Sequence, residues 1–351
     1  MKIISIAGAR PQFIKLAPLS EKLSENHEEL IVHTGQHYDF EMSQKIFLDL
    51  GIRNPHYHLG IGSGSHATQT GEMMKALEEI MIKENPELVV VFGDTNTTLA
   101  GALAASKLSI PLVHVEAGLR SYNRAMPEEI NRVVTDHVSE YLFAPTESAG
   151  RLLKGEGLED KTYVTGDIMV DTIKMSLPVA LETSSVLSDL DIDNRDYNLL
   201  TLHRNYNVDD PLVLAGILKQ LDNLGELIIF PVHPRTRKML GEIDVSLKNI
   251  VLTGPLGYFD FIMVENSSKR IITDSGGIQK EAYILKKPCI TLRTETEWVE
   301  TVEEKWNLLV DPSDPAICQK IHSFKAPATQ KKVFGEDVCN KMVSVIDSIS
   351  T

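Results

Sequence analysis

The sequence predicts an α/β protein built from two doubly wound parallel sheets. Three observations carry that reading: short apolar, β-branched runs alternate with segments of helical period; the alternation breaks at a polar stretch and then restarts; and 351 residues are enough for two substantial cores.

In the first half the apolar runs fall at residues 3–7, 30–33, 88–92, 112–115 and 141–144. They are continuous instead of alternating, as strands covered on both faces read. Between them, residues 15–23, 72–83, 98–107 and 129–138 place apolar side chains at helical spacings, which suits crossover helices. After Gly166-Asp167 the chain becomes polar and irregular over 182–196, and a second series follows at 199–202, 227–232, 250–252, 271–273 and 289–292. This pattern gives one Rossmann-like domain over 1–168 and a second over 169–351, with the helical-period segment 338–349 able to pack back on the first. Functional groups are then expected to face each other across an interdomain cleft.

The formal net charge of -14 argues against nucleic acid or an anionic membrane as partner, since both reward a basic surface. Met1 leads straight into strand-like sequence, and no apolar run reaches transmembrane length, so a cytoplasmic protein is expected. Cys289, Cys318 and Cys339 form no CxxC spacing and are odd in number, which suggests neither a disulfide framework nor a zinc site, and no metal is expected. Gly60-Ile61-Gly62-Ser63-Gly64 lacks the spacing of the G-x-G-x-x-G fingerprint, so a dinucleotide cofactor has little support.

Chemistry is expected at the strand ends, where open parallel sheets bind their ligands. Four ends of the first half are polar: Gly8-Ala9-Arg10 leading to Lys15, Thr34-Gly35-Gln36-His37, Gly93-Asp94-Thr95, and the stretch from Glu116 through Arg120 to Glu128. Arg10, Lys15, His37, Asp94, Glu116, Arg120 and Glu128 together form a wall around one crevice. Each alone reads equally as a helix cap or a surface ion pair, and Asp94 in particular precedes a Thr-rich helix start.

In the second half, Thr273-Asp274-Ser275-Gly276-Gly277 ends a strand and opens a helix whose first N–H groups no side chain obstructs. Such a turn suits a phosphate, with Ser275 adding a hydroxyl donor and the helix dipole a favourable potential. Glu281 lies one turn deeper on the face of Gly277, where a carboxylate can accept hydrogen bonds from ribose hydroxyls. Two further ends carry histidine, His203-Arg204 and His233-Pro234. The former closes the first strand of the second domain and is the stronger functional candidate.

The ordered set Gly8-Ala9-Arg10-Pro11, Gly35-Gln36-His37, Gly93-Asp94-Thr95, Val115-Glu116-Ala117-Gly118-Leu119-Arg120, Pro127-Glu128-Glu129-Ile130-Asn131-Arg132, His203-Arg204, His233-Pro234 and Asp274-Ser275-Gly276-Gly277 with Gln279 and Glu281 resembles the non-hydrolysing UDP-N-acetylglucosamine 2-epimerases, over essentially the whole chain. The resemblance implies a GT-B-type arrangement of the two domains, usually in a homodimer, with a UDP-sugar as substrate and no cofactor. It implies that Arg10, His203, Phe261, Ser275, Gly276, Gly277 and Glu281 hold UDP, while Lys15, Asp94, Glu116, Glu128 and His203 surround the reacting sugar. The implied chemistry interconverts UDP-GlcNAc and UDP-ManNAc by eliminating UDP to 2-acetamidoglucal and adding it back. That path needs a clamp for a departing diphosphate and acid/base groups on both faces of C2, for which Asp94, Glu116 and Glu128 are the candidates.

Departures from the family pattern bear on the substrate. The loop Ser121-Tyr122-Asn123-Arg124-Ala125-Met126 is shorter than in the better-known bacterial members. Trp298 stands where those members carry an arginine near the diphosphate, and Arg293 is the candidate replacement. The Thr296-Glu297-Trp298 form resembles archaeal members and the branch acting on UDP-2,3-diacetamido-2,3-dideoxyglucuronate, the alternative substrate, for whose carboxylate Arg124 is a candidate partner. Gln36, His37, Arg204 and His233 match the motifs by which some relatives bind a second, activating substrate molecule; Asp39 and Tyr206 depart from those motifs. A GT-B glycosyltransferase with a UDP-sugar donor is the alternative of another class.

Overall fold

The computed structural model describes residues 1–36, 46–232, 234–241, 243 and 246–349. The chain divides into two units, Met1–Met175 with Lys332–Thr351, and Ser176–Lys331. In the first unit β1 (Lys2–Ala7), β2 (Glu28–His33), β3 (Tyr57–His58), β4 (Leu88–Phe92), β5 (Leu112–Val115), β6 (Tyr141–Ala144) and β7 (Thr162–Val164) pair in the order β3-β2-β1-β4-β5-β6-β7. Every pairing is parallel, for instance Ile4 with Leu30 on one side and Val89 on the other. In the second unit β8 (Asn198–Thr201), β9 (Ile228–Pro231), β10 (Ile250–Thr253), β11 (Arg270–Thr273), β12 (Cys289–Thr291) and β13 (Asn307–Leu309) form a parallel sheet of order β10-β9-β8-β11-β12-β13.

Each sheet is buried on both faces, the reason its inner strands read as unbroken apolar runs. One face of the first sheet sets Ile4, Ile6, Val32, Val89 and Val91 against Met73, Leu77 and the alanines of the helix Asn96–Lys107. In the second unit Leu200, Phe230, Ile272 and Ile290 meet Leu214, Leu218 and Leu221 of the helix Pro211–Asp222. Tyr197, Leu199, Ile229 and Ile271 line the opposite face with Val264 and the half-buried Phe261. Burial stabilises each such side chain by roughly 2 kcal/mol, so the framework does not depend on polar groups at the strand ends.

The winding reverses where β1 meets β4 and again where β8 meets β11. A crevice opens beyond the carboxyl ends of the strands at such a reversal. The ends there are Gly8-Ala9-Arg10 and Gly93-Asp94 in the first unit, and Leu202-His203-Arg204 and Asp274-Ser275-Gly276 in the second.

The helix Val338–Ile349 belongs to the first unit, where Asp347 meets His27 at 2.7 Å and the Cys339 N–H donates to Asp171 at 2.6 Å. Among the described residues no helix is long and apolar enough to cross a membrane. Cys289, Cys318 and Cys339 are free thiols, and burial pushes the Cys289 thiol up to about 12.

Candidate active site

The first reversal point is stitched together by Gln12. Its side chain accepts from the Gly8 and Ala9 N–H groups at 2.8 and 3.1 Å and donates to the Phe92 carbonyl at 2.9 Å, joining the ends of β1 and β4. A Cβ at Gly8 would lie 1.9 Å from the Thr34 hydroxyl at the end of β2 and 2.5 Å from that of Thr97 after β4, so only glycine fits between them. Pro11 opens the helix Arg10–Leu23, one turn into which Lys15 projects.

Lys15 Nζ lies 2.8 Å from Glu116 Oε2, and both side chains are at least nine-tenths buried. Glu116 follows β5 with φ at 74°, a left-handed conformation that a residue with a side chain adopts at a cost on the order of 1–3 kcal/mol. Its N–H and that of Ala117 both donate to the Phe143 carbonyl, which holds the turn in place. Lys15 Nζ is also only 3.4 Å from where a Gly93 Cβ would stand, so the pair abuts the Gly93-Asp94 tip.

Asp94 is not the cap of the following helix. Thr95 takes that position and accepts from the Thr98 N–H. The Asp94 carboxylate instead receives two donors from Arg132, Nε at 2.9 Å and Nη2 at 2.7 Å, while Asn131 donates to the Asp94 carbonyl at 2.9 Å. Arg132 also reaches Glu129 at 3.1 Å. Both residues lie on the helix Pro127–Val138, whose inward side is polar: Glu129, Asn131, Arg132, Thr135 and Asp136 are its buried residues. Burial alone would push the Glu129 carboxyl up, but the Ser121 N–H and hydroxyl, the Tyr122 N–H and Arg132 hold it below the usual carboxylate range. Glu128, at the start of this helix, is exposed, and Arg10 is half-buried at the end of β1.

Arg120, read from the sequence as part of the same wall, faces inward. It is paired with Asp136 and Glu156, each at 2.7 Å, and its side chain is 1% exposed. Burial opposes its charge, but those two carboxylates keep it firmly protonated. Asp136 in turn meets His114 at 2.6 Å. Sequence reasoning missed this set and the Arg132 contacts, although Arg132 follows Glu128 by one helical turn inside a motif it had already marked.

The second reversal point is built differently. Asp274, fully buried, accepts from the His203 N–H at 3.1 Å, the Arg204 N–H at 3.0 Å and Asn207 Nδ2 at 3.0 Å, and approaches His203 Nδ1 at 3.3 Å. It thereby ties the end of β8 to the end of β11. Thr201 and Thr273 join the same strands through their hydroxyls at 2.6 Å, and Thr273 receives the Ser275 N–H at 2.9 Å. Ser275 caps the helix Gly276–Ile284 by accepting from Ile278. The N–H groups at such a helix start have no intrahelical acceptor and form an anion-binding edge. Glu281 is buried one turn deeper.

Arg293 forms a bidentate pair with Glu297, at 3.0 and 3.1 Å, and is buried. Glu297 holds it protonated against the opposing effect of burial. The Trp298 indole lies beside Gly276, with Nε1 3.4 Å from the position of a Cβ there, and Lys280 Nζ sits 4.2 Å above the ring. Phe261 packs into the apolar layer under the sheet. A cavity of about 490 Å³ opens beside Arg293 and Tyr206 along Leu212, Val213 and Ile217; Ser275, Gly276 and Glu281 are not in its lining.

Of the second-site candidates, Gln36 accepts from the Thr97 N–H and hydroxyl at 3.0 and 2.8 Å, and Arg204 is half-buried beside His203. His37 and His233 lie outside the described residues.

Comparison with known proteins points one way. A family described as UDP-N-acetylglucosamine 2-epimerase matches residues 21–346. A Methanococcus maripaludis protein named UDP-N-acetylglucosamine 2-epimerase homolog is 51% identical over 99% of both chains. The Pseudomonas aeruginosa UDP-2,3-diacetamido-2,3-dideoxy-D-glucuronate 2-epimerase is 46% identical over 88% of each. The crystal structure of the Methanocaldococcus jannaschii UDP-GlcNAc 2-epimerase in complex with UDP-GlcNAc and UDP superimposes with a TM-score of 0.91, at 45% identity and 99% coverage of both chains.

Proposed function

The chain belongs to the non-hydrolysing UDP-N-acetylglucosamine 2-epimerase family of isomerases, and from that premise we propose how it interconverts UDP-GlcNAc and UDP-ManNAc. No carbonyl adjoins C2 of the sugar to acidify its hydrogen, so inversion by simple deprotonation is unfavourable. Elimination avoids that difficulty. A carboxylate takes the C2 proton as the C1–O bond breaks, its electron pair leaves with the β-phosphate of UDP, and a C1=C2 double bond forms. UDP then adds back at C1 while a proton arrives on the opposite face of C2.

The observation that carries this reading is the two ion pairs at one reversal point, the buried Lys15–Glu116 and Arg132–Asp94, whose carboxylate is half-buried. A carboxylate held against a fixed cation keeps one orientation, and a general acid or base must stand within reach of the proton it moves. Glu128, exposed nearby in sequence, supplies a third carboxyl group able to exchange its proton with solvent. The UDP leaving group is held by the second unit: the Gly276 and Gly277 N–H groups and Ser275 take the diphosphate, with His203 adding a hydrogen bond and Phe261 and Glu281 completing the nucleotide contacts. Preorganised donors of this kind stabilise charge that develops only as the bond breaks.

Proton NMR of UDP-GlcNAc with the protein in deuterated water tests the proposal. UDP-ManNAc should appear, with deuterium at C2 of both epimers. Competent binding without deuterium entry would refute the elimination path. The 46% identity to the diacetamido-glucuronate enzyme and the exposed Arg124 in the shortened loop favour a second reading, in which that sugar is the better substrate. A higher kcat/KM for it in a parallel assay would establish this. A glycosyltransferase would show no exchange at C2 without an acceptor.

A further inference from the structure

His114 lies in the buried middle of β5 with its side chain wholly inaccessible, in a strand where an aliphatic residue would pack without any polar demand. Both ring nitrogens face acceptors. Nε2 is 2.7 Å from the Gly93 carbonyl, which can only accept, so Nε2 carries a proton. Nδ1 is 2.6 Å from Asp136 Oδ1. The other oxygen of Asp136 takes Arg120 at 2.7 Å and the Gly118 N–H at 3.1 Å. A carboxylate serving that many donors is ionised, and Nδ1 therefore donates as well. The cluster balances: His114 and Arg120 against Asp136 and Glu156, with His137 3.9 Å from Glu156 at its outer end.

This network grips backbone on both sides of the reacting acids. The Gly93 carbonyl, one residue before Asp94, is held by His114, and the Gly93 N–H donates to the Val115 carbonyl at 2.9 Å. Gly93 has φ at 63°, and these two hydrogen bonds, one accepted and one donated, fix that turn. The Gly118 N–H, two residues beyond Glu116, is held by Asp136. Resting on the reading above, we propose that His114, held as an imidazolium by Asp136, is a positioning residue that sets the backbone from which Asp94 and Glu116 reach C2. It does not touch the substrate. Its effect is geometric, and misplacement of a reacting group by about 1 Å is enough to slow an enzyme about 100-fold.

Two amide variants separate the two contacts. In H114Q the side-chain amide reaches the position of Nε2 and keeps a donor to Gly93; in H114N it reaches only the position of Nδ1. The expected result is a kcat for UDP-GlcNAc lowered about 100-fold in H114N, with substantial recovery in H114Q and with UDP affinity by calorimetry within about twofold of the parent in both. A kcat retained in folded H114N, or equal loss of rate and UDP binding in both variants, would overturn the proposal. Should the variants not fold, the parent protein labelled with 15N-histidine decides: two protonated nitrogens on the buried ring are expected, and a single ring N–H would overturn the imidazolium. Failure of the epimerase reading is distinct, since it appears in the parent as absent deuterium exchange whatever His114 does.

Discussion

The two sheets share one winding and differ in what they place at its reversal. In the first unit the strand ends are crowded with side-chain charge, Lys15 on Glu116, Arg132 on Asp94 and Glu129, and Arg120 and His114 on Asp136. In the second, the buried Asp274 accepts from backbone N–H groups and Asn207, Arg293 is paired with Glu297, and the start of the helix Gly276–Ile284 lies beside them. One topology thus carries paired side-chain charges in one place and the start of a helix in the other, which the proposed reaction uses as proton-transfer groups and as the seat of the diphosphate. The difference lies in the strand-end turns and in the helices Arg10–Leu23 and Pro127–Val138 that supply their partners, while the apolar layers below are alike in kind.

Substitutions in each unit should affect different steps. Replacing Asp94 or Glu116 by its amide should lower kcat by about 100- to 10,000-fold, the usual worth of a positioned acid or base, with UDP affinity nearly unchanged. Rates from deuterium exchange and affinities from calorimetry measure the two sides separately. Parallel loss of UDP affinity would show that the first unit also holds the nucleotide. The reciprocal change is Gly276→Ala, which sets a methyl group 3.4 Å from the Trp298 indole and over the amide edge. UDP affinity should drop about tenfold, equivalent to about 1.4 kcal/mol, while the melting temperature holds. If affinity is unchanged, the diphosphate sits elsewhere.

The smallest effect concerns pH. The folded-state pKa of Glu129 is depressed, so its contribution to stability is fully present above its unfolded value and is lost as pH falls through the folded one. Acid unfolding of the parent should steepen below the ordinary carboxylate range, and Glu129→Gln should flatten that limb. An equally steep limb in the variant would assign the acid sensitivity to other groups, Asp136 first.

Most of the framework was legible in the sequence because inner strands covered on both faces must be apolar throughout. The strands that escaped, β3, β7 and β13, are two or three residues long and lie at sheet edges, where one side has no strand neighbour. The strand-end residues were equally legible as candidates, but not their partners. A run of charged residues on a helix reads as a solvated face, and nothing local shows that Arg132 and Asp136 turn inward. His114 and Asp136 are 22 residues apart, on a strand and a helix that only the folded sheet brings together.

The helix Pro127–Val138, with its charged side inward, also constrains how the first unit assembles. Most helices dock on a sheet by apolar contact and tolerate a loose, sliding approach. This one brings Glu129, Arg132 and Asp136 into the interior, and each must find its counterpart on β4, β5 or the turns beyond them before its water is stripped away. A buried charge left unmatched is destabilising by about 3–5 kcal/mol, so a half-docked intermediate has little to hold it. The helix is therefore expected to lock on in one event after the sheet has its register, which φ-values near zero at Glu129 and Asp136 would check. Newly made protein should pass directly from a form in which none of these charge pairs is made to one in which all of them are.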